Sequence, residues 1–252
     1  EIPNFDILVA GFPCQPFSSI GKRQGFLHAT QGTLFYDVLR IIKHKGNKAF
    51  LLENVQGLVT HDKGNTFKTI LRSLDEIGYK VFYKILNASD YGVPQQRKRI
   101  YIVGFKKDLF VKNDAEFNFP NGKNKKAYIN DYLEKNIKGY SISKHLQDKY
   151  LFKKDDGRPV ILDKKSKVQV KTLVSSYHKI QRLTGTFVKD GETGIRLLTE
   201  NECKSIMGFP KEFIIPVSRT QMYRQMGNSV VVPVIEVIAG EIVKTLEGLK
   251  LI

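Results

Sequence analysis

Cysteine is scarce in this sequence, which has only Cys14 and Cys203 among its 252 residues. Because the two lie far apart in the chain, they predict neither a disulfide framework nor a zinc site. The five histidines show no metal-ligand spacing either. We therefore expect a protein without a structural or catalytic metal.

Long apolar runs are also missing. No stretch approaches the roughly 18 consecutive apolar residues that a membrane-spanning helix requires, and Glu1 opens no basic segment followed by an apolar one. The composition, 41% hydrophobic and 26% charged, is that of a folded globular protein. The sequence thus predicts a cytoplasmic protein with no membrane partner.

Acidic residues are too few to balance the basic ones. Lys and Arg number 41 against 25 Asp and Glu, which gives a formal net charge of +16. Residues 106–185 alone hold 19 basic and 9 acidic residues. This surplus favours a polyanionic partner, nucleic acid ahead of an anionic membrane surface, and because the basic residues do not lie along one amphipathic helix we expect no membrane partner.

The hydrophobic pattern predicts an α/β fold. Short apolar or alternating runs, typical of buried strands, alternate with amphipathic helical patterns. The predicted strands cover residues 5–11, 49–55, 79–86 and 99–105, and the helices between them cover 34–44 and 66–77. This order favours a mostly parallel sheet, whose ligands bind at the carboxyl ends of its strands.

The hydrophobic periodicity weakens in the second half of the chain. From about residue 108 to residue 194 it consists of short, weakly periodic pieces broken by Gly, Asn and Lys, which predicts a second, basic lobe. Thr199, followed three residues later by Glu202, has the pattern of a helix capping box. Residues 230–246 are expected to form an apolar amphipathic helix that packs on the first lobe.

Three short segments carry candidate chemistry. Cys14 follows the first strand between two prolines, where a nucleophile could be held, although a buried structural cysteine is an alternative interpretation. Glu53 ends an apolar strand, as a candidate acid or as half of an ion pair. Arg97 and Arg99 present two permanent cations, or simply a solvated basic strand.

Taken together, these segments resemble the cytosine-5 DNA methyltransferases, specifically the bacterial restriction-modification type. Further matching blocks run through most of the chain, from Phe5 to Pro233. They are Arg196-Leu197-Leu198-Thr199 with Glu202, Met207-Gly208-Phe209-Pro210, Gln225-Met226-Gly227-Asn228-Ser229-Val230, and Thr172-Leu173 of the target-recognition region. The resemblance implies a truncated Rossmann-like sheet (residues 1–109 plus 223–252) and a smaller target-recognition domain (residues 110–222).

The resemblance also assigns catalytic roles. Cys14 would add as a thiolate to carbon 6 of a cytosine flipped out of duplex DNA, which makes carbon 5 nucleophilic. Glu53 would protonate or hydrogen-bond ring N3, Arg97 would hold O2, and Arg99 would support Glu53 or the base.

The implied methyl donor is S-adenosylmethionine, with Pro13, Leu34, Asn228 and Ser229 as its remaining contacts. The sequence contains no Phe-x-Gly-x-Gly loop, with which members of this family usually begin. A fragment, one subunit of a split enzyme, and a degenerate DNA-binding protein are the competing explanations. We favour a fragment or a split enzyme. In a split enzyme, a second chain would supply the other half of the cofactor site.

Contacts with double-stranded DNA are expected from a loop after Cys14 and from the basic lobe. The implied residues are Gln15, Ser18, Lys22, Arg23, Gln95, Thr172, Gln181 and Arg182. Base readout is expected within residues 177–187. Two alternatives stay open: methylation of RNA at the same carbon, and a DNA-binding subunit that is inactive alone.

Overall fold

The computed structural model describes residues 2–13, 34–110, 116–122 and 126–249. The chain divides into two compact units. The first unit comprises Glu1–Leu86, Lys98–Pro120 and Ile238–Ile252, and the second unit comprises Asn87–Arg97 and Asn121–Val237. Cys14, Gln15, Ser18, Lys22 and Arg23 lie outside the described residues.

A four-stranded sheet forms the centre of the first unit. Its strands are β1 (Ile7–Gly11), β2 (Ala49–Val55), β3 (Tyr79–Asn87) and β5 (Lys98–Lys106), in the spatial order β1-β2-β5-β3. Strand β1 runs parallel to β2, with helix α1 (Leu34–Lys45) between them in the chain. Strand β5 runs antiparallel to β2.

The antiparallel β5 departs from the expected mostly parallel sheet. A parallel return needs a crossover of a dozen or more residues, usually a helix. Residues 88–97, which connect β3 to β5, contain only a 3₁₀ turn and the two-residue strand β4 (Gln95–Gln96). The sequence pattern located the strands correctly. The direction of β5 was predicted wrongly because the short connection before it, which contains no α-helix, was not taken into account.

The sheet of the first unit is buried because its central strands are apolar on both faces. Phe50 and Leu52 of β2 are fully buried, as are Ile102 and Phe105 of β5. Helix α2 (Asn65–Glu76) adds an apolar face to the same core, in which Ile70 and Leu74 are fully buried. This core holds the end of β2 in place, where the candidate acid lies.

The second unit is built from short elements. Strand β4 pairs in parallel with β7 (Val170–Lys171), and β6 (Ile161–Leu162) pairs in parallel with β8 (Phe187–Val188). The helices that begin in this unit are α3 (Lys144–Leu146), α4 (Glu200–Met207), α5 (Arg219–Asn228) and α6 (Val232–Gly248). Single turns complete both units: 3₁₀ at Gln56–Val59, His61–Gly64, Ala88–Tyr91, Lys107–Phe110, Ile129–Asp131 and Tyr177–Lys179, and π at Gln147–Leu151.

A buried ionic cluster organises the second unit. The guanidinium of Arg196, with no exposed surface, donates to both carboxylate oxygens of Glu202 at 2.8 and 2.9 Å and to Asp190 at 3.0 Å. Glu202 also accepts from the backbone of Thr199, whose hydroxyl accepts from Glu202 N, so the predicted capping box is confirmed. Cys203 of α4 is fully buried, and burial raises the pKa of its thiol.

Among the described residues, no helix is long and apolar enough to cross a bilayer.

Candidate active site

Glu53 and Arg99 form an ion pair in the first unit. Glu53 lies opposite Tyr101 in the β2–β5 register, so Arg99 is its diagonal neighbour across the strands. The Nε of Arg99 is 3.0 Å from Oε1 of Glu53, and the side chains are only 15% and 16% exposed. The structure therefore holds a carboxylate and a guanidinium together at the end of β2.

Asn54 ties the end of β2 to the end of β1. Its side chain is buried and donates to the carbonyl of Phe12 at 2.7 Å, while its own oxygen accepts from Val55 N at 2.8 Å. The ring of Phe12 packs on Phe35 of α1, with centroids 5.5 Å apart. Asn54, the residue after Glu53, thus anchors the backbone of Phe12, two residues before Cys14.

Arg97 belongs to the second unit and has different partners from Arg99. Its Nη1 donates to the carbonyl of Leu173 at 3.0 Å, and its Nη2 donates to Gly227 at 3.1 Å and Ser229 at 2.6 Å. The residue is only 3% exposed. A buried cation surrounded by carbonyl dipoles fixes the backbone that carries them.

Two residues implied as DNA contacts have structural partners here. Gln95 is fully buried, donates to Ile206 O at 3.2 Å and accepts from Leu173 N at 2.8 Å. The hydroxyl of Thr172 donates to Gln96 O at 2.8 Å. Both residues therefore join the segment before β5 to the segment after β7, and their contact with DNA stays a prediction.

The guanidinium of Arg182 is engaged as well. It donates to Asp156 and to the carbonyls of Leu151, Lys154 and Arg158. The hydrogen bond from Arg182 lowers the pKa of the Asp156 carboxyl. To read a base edge, Arg182 would have to exchange these bonds, so this role also stays a prediction.

Gln181 likewise bonds within the protein. Its amide nitrogen donates to the Ser176 hydroxyl at 3.1 Å, and its oxygen accepts from Thr184 at 2.8 Å. These neutral bonds at a partly exposed side chain are easier to exchange for DNA than those of Arg182.

The residues implied as methyl-donor contacts fall in both units. Pro13 is exposed and Leu34 is 57% exposed at the start of α1, both in the first unit. Asn228 is exposed and Ser229 half-buried at the end of α5, in the second unit. In the described part of the chain, no three His, Cys, Asp or Glu side chains are grouped as metal ligands.

Sequence reasoning singled out Asn228 and Ser229 at the end of α5 but missed the exposed Gln221 and Arg224 on the same helix. Its exposed side chains Gln221, Arg224, Gln225 and Asn228 line a polar pocket of about 720 Å³ together with Ser175 and Ser229. The signal was present, because residues 213–235 contain no Asp or Glu and place Met222, Tyr223 and Met226 on one helical face.

A family profile described as "C-5 cytosine-specific DNA methylase" matches residues 1–244. Similar curated proteins include the Type II methyltransferases M.MspI of Moraxella sp and M.BsuFI of Bacillus subtilis. Each is 61% identical over 241 residues, with 96% and 95% of this chain aligned. The alignments cover 56% and 58% of those two proteins, so the chain spans little more than half their length.

Solved structures with a similar fold include a Spodoptera frugiperda DNMT2 mutant and the S. pombe Dnmt2 methyltransferase. Their TM-scores are 0.70 and 0.69 at 23% and 22% identity; the alignments cover 96% and 97% of this chain and 79% of each of the other two. The predicted Rossmann-like α/β fold class is thereby confirmed.

Proposed function

Because the chain belongs to the C-5 cytosine-specific DNA methylase family, we propose that it transfers a methyl group to carbon 5 of cytosine in a short duplex DNA site. The observation that carries this proposal is the Glu53–Arg99 pair at the end of β2, where the structure holds an acid and a guanidinium 3.0 Å apart. A carboxyl and a guanidinium can hydrogen-bond ring N3 and O2 of a cytosine.

Cys14 is proposed as the nucleophile. Its thiolate adds to carbon 6 of the flipped base, and the electrons displaced onto carbon 5 attack the methyl donor. Loss of the carbon 5 proton then expels the thiolate and restores the aromatic ring. Asn54 serves this step indirectly, because its bond to Phe12 O anchors the chain just before Pro13 and Cys14.

Glu53 is proposed to hold a proton at ring N3, which makes the addition at carbon 6 easier. Arg99 keeps the Glu53 carboxyl in place through the ion pair. The sequence motif assigned cytosine O2 to Arg97, but Arg97 already donates to three carbonyls. We therefore assign the pyrimidine edge to Arg99 and give Arg97 a positioning role.

The proposed methyl donor is S-adenosylmethionine, whose sulfonium supplies the methyl group when it is bound. Leu34, 57% exposed, offers the methyl donor apolar contact area, and Ser229 offers it a hydroxyl. Within the described residues, β1 pairs on one side only, with β2, and its Val9 is 66% exposed. We propose that a segment carrying a Phe-x-Gly-x-Gly loop, in the same polypeptide or in a second chain, supplies further contacts to the methyl donor.

Covalent trapping on duplex DNA containing 5-fluorocytosine tests the nucleophile, because fluorine at carbon 5 prevents the final elimination. With S-adenosylmethionine and the Phe-x-Gly-x-Gly segment supplied, the protein should form a DNA adduct stable to denaturation. Cys14→Ala should abolish the adduct. Cys203→Ala is the matched control, since it removes the only other thiol, fully buried in α4, and should leave trapping intact.

Two results would count against this function. An adduct that survives Cys14→Ala would show that Cys14 is not the nucleophile. Failure of the completed enzyme to form any adduct, or stronger competition by structured RNA than by duplex DNA, would contradict a DNA cytosine methyltransferase.

A further inference from the structure

Helix α5 divides sharply into a buried and an exposed face. Met222, Tyr223 and Met226 are buried in the second unit. The exposed side chains follow the helical spacing i, i+3, i+4 and i+7. They are Gln221, Arg224, Gln225 and Asn228, and we call this set the α5 face.

The α5 face and Ser175 line a polar pocket of about 720 Å³ in the second unit. Both segments that form it lack acidic residues: residues 213–235 and residues 164–189 contain neither Asp nor Glu. The second of these segments also contributes six lysines. The pocket thus offers a guanidinium, side-chain amides and hydroxyls, with no carboxylate from either segment to repel an anion.

The backbone holds this pocket together before any ligand binds. At Gly227, an added Cβ would lie 2.1 Å from Ser175 N and 2.2 Å from Val174 C, so α5 contacts the segment 174–175 directly. Arg97 reinforces this contact, because its guanidinium binds Leu173 O on one side and Gly227 O on the other. Rigid placement of the donors lowers the entropic cost of binding.

We propose that the α5 face is a binding site for the phosphodiester backbone of DNA, with Arg224 as its charged contact. This inference rests on the proposed function, because it names where the DNA substrate is held. The face extends from Gln221 to Asn228, a rise of seven residue steps or about 10.5 Å of helix, which is long enough to follow a sugar-phosphate strand rather than a single small anion. Guanidinium, amide and hydroxyl donors are the groups that contact phosphate oxygens in protein–DNA complexes.

The salt dependence of DNA binding tests this site. The slope of log K against log salt is negative, and the loss of one phosphate contact reduces its magnitude by about 0.9. Arg224→Gln should show this reduction on any duplex sequence, since a phosphate contact reads no base. Arg72→Gln is the matched control, because Arg72 is also an exposed arginine within a helix, on α2 of the first unit, and its loss should leave the slope unchanged.

Other outcomes overturn the proposal. An unchanged slope in Arg224→Gln, or an equal reduction in Arg72→Gln, would show that Arg224 makes no local phosphate contact. If Arg224→Gln weakened the binding of S-adenosylmethionine but left the DNA slope unchanged, the anion held there would be the carboxylate of the methyl donor. In all three cases, 5-fluorocytosine trapping by the parent protein would still support the proposed function, so the two failures are distinguishable.

Discussion

The first unit has an apolar centre, whereas the second unit combines an apolar cluster, which includes Phe187 and Ile195, with buried arginines. Phe50, Leu52 and Ile70 are fully buried in the first unit. In the second unit, Arg196 is fully buried and Arg97 is 3% exposed, each surrounded by carboxylate or carbonyl oxygens.

This difference follows from the lengths of the elements. Strands of five to nine residues pair through many backbone bonds and bury a continuous apolar surface. Strands of two residues, such as β4 and β7, cannot do so. A guanidinium with five donors replaces the missing ladder bonds by joining carbonyls that are distant in sequence. Directional bonds of this kind define the positions of the loops in the second unit.

The largest effect is expected from breaking an arginine cluster. Arg196→Met leaves Glu202 buried without its cation and should lower the free energy of unfolding by about 3–5 kcal/mol, measured by urea denaturation. Arg40→Met is the matched control in the first unit, because Arg40 and Asp37 are 71% and 57% exposed and their pair should contribute at most about 1 kcal/mol. Equal losses in the two variants would refute the contrast between the units.

A smaller effect is expected from two glycine substitutions, one in each unit. In Gly104→Ala, the new methyl group would meet the Phe50 ring at 2.1 Å; in Gly227→Ala, it would meet the backbone of Ser175 at 2.1 Å. Overpacking of this kind typically costs about 1–3 kcal/mol. Because the Phe50 side chain can shift about its χ1 angle, whereas the Ser175 backbone is held by the chain on both sides, Gly227→Ala should destabilise the protein more in urea titrations. The reverse order would show that the first unit is the less adaptable one.

The smallest effect is expected on the stability of the second unit at low pH. Hydrogen bonds from Arg182 to Asp156, from Lys165 N to Asp163 and from Ser141 to Glu192 hold the pKa of each of these carboxyls in the second unit below its usual value. A lowered pKa stabilises the fold above the unfolded-state value, near 4, and this contribution disappears as pH falls through the folded value.

The second unit should therefore lose native structure first as the pH drops below about 4. Methyl NMR signals of Ile195 in the second unit and Ile102 in the first would report this difference. Asp156→Asn should weaken the acid dependence of the Ile195 signal. If both signals disappeared at the same pH, and Asp156→Asn did not change that pH, these carboxyls would not be the cause of the acid sensitivity.

Local patterns predicted the elements of the first unit well. The strand predicted at residues 79–86 is observed at Tyr79–Asn87, and the helix predicted at 34–44 is observed at Leu34–Lys45. These elements are several turns or residues long, so their hydrophobic period is visible in the sequence. The direction of β5 was missed because it depends on the connection rather than on the strand.

The second unit was less predictable because its contacts are distant in sequence. Arg97 bonds to residues 76, 130 and 132 positions away, and no local pattern encodes such partners. Strands of two residues leave no period to detect. The roles of Glu53 and Arg99 were suggested by family resemblance, whereas the partners of Arg97 and Arg182 required coordinates.

The diagonal placement of Glu53 and Arg99 has a consequence for folding. Strands β2 and β5 are apolar on both faces, so hydrophobic alternation alone specifies their alignment poorly. A shift by one residue would set Glu53 opposite Ile100 or Ile102 and turn the two charges to opposite sides of the sheet. A misaligned β2–β5 pair would leave the Glu53 carboxylate without its cation, so this ion pair also favours the correct alignment of the two strands.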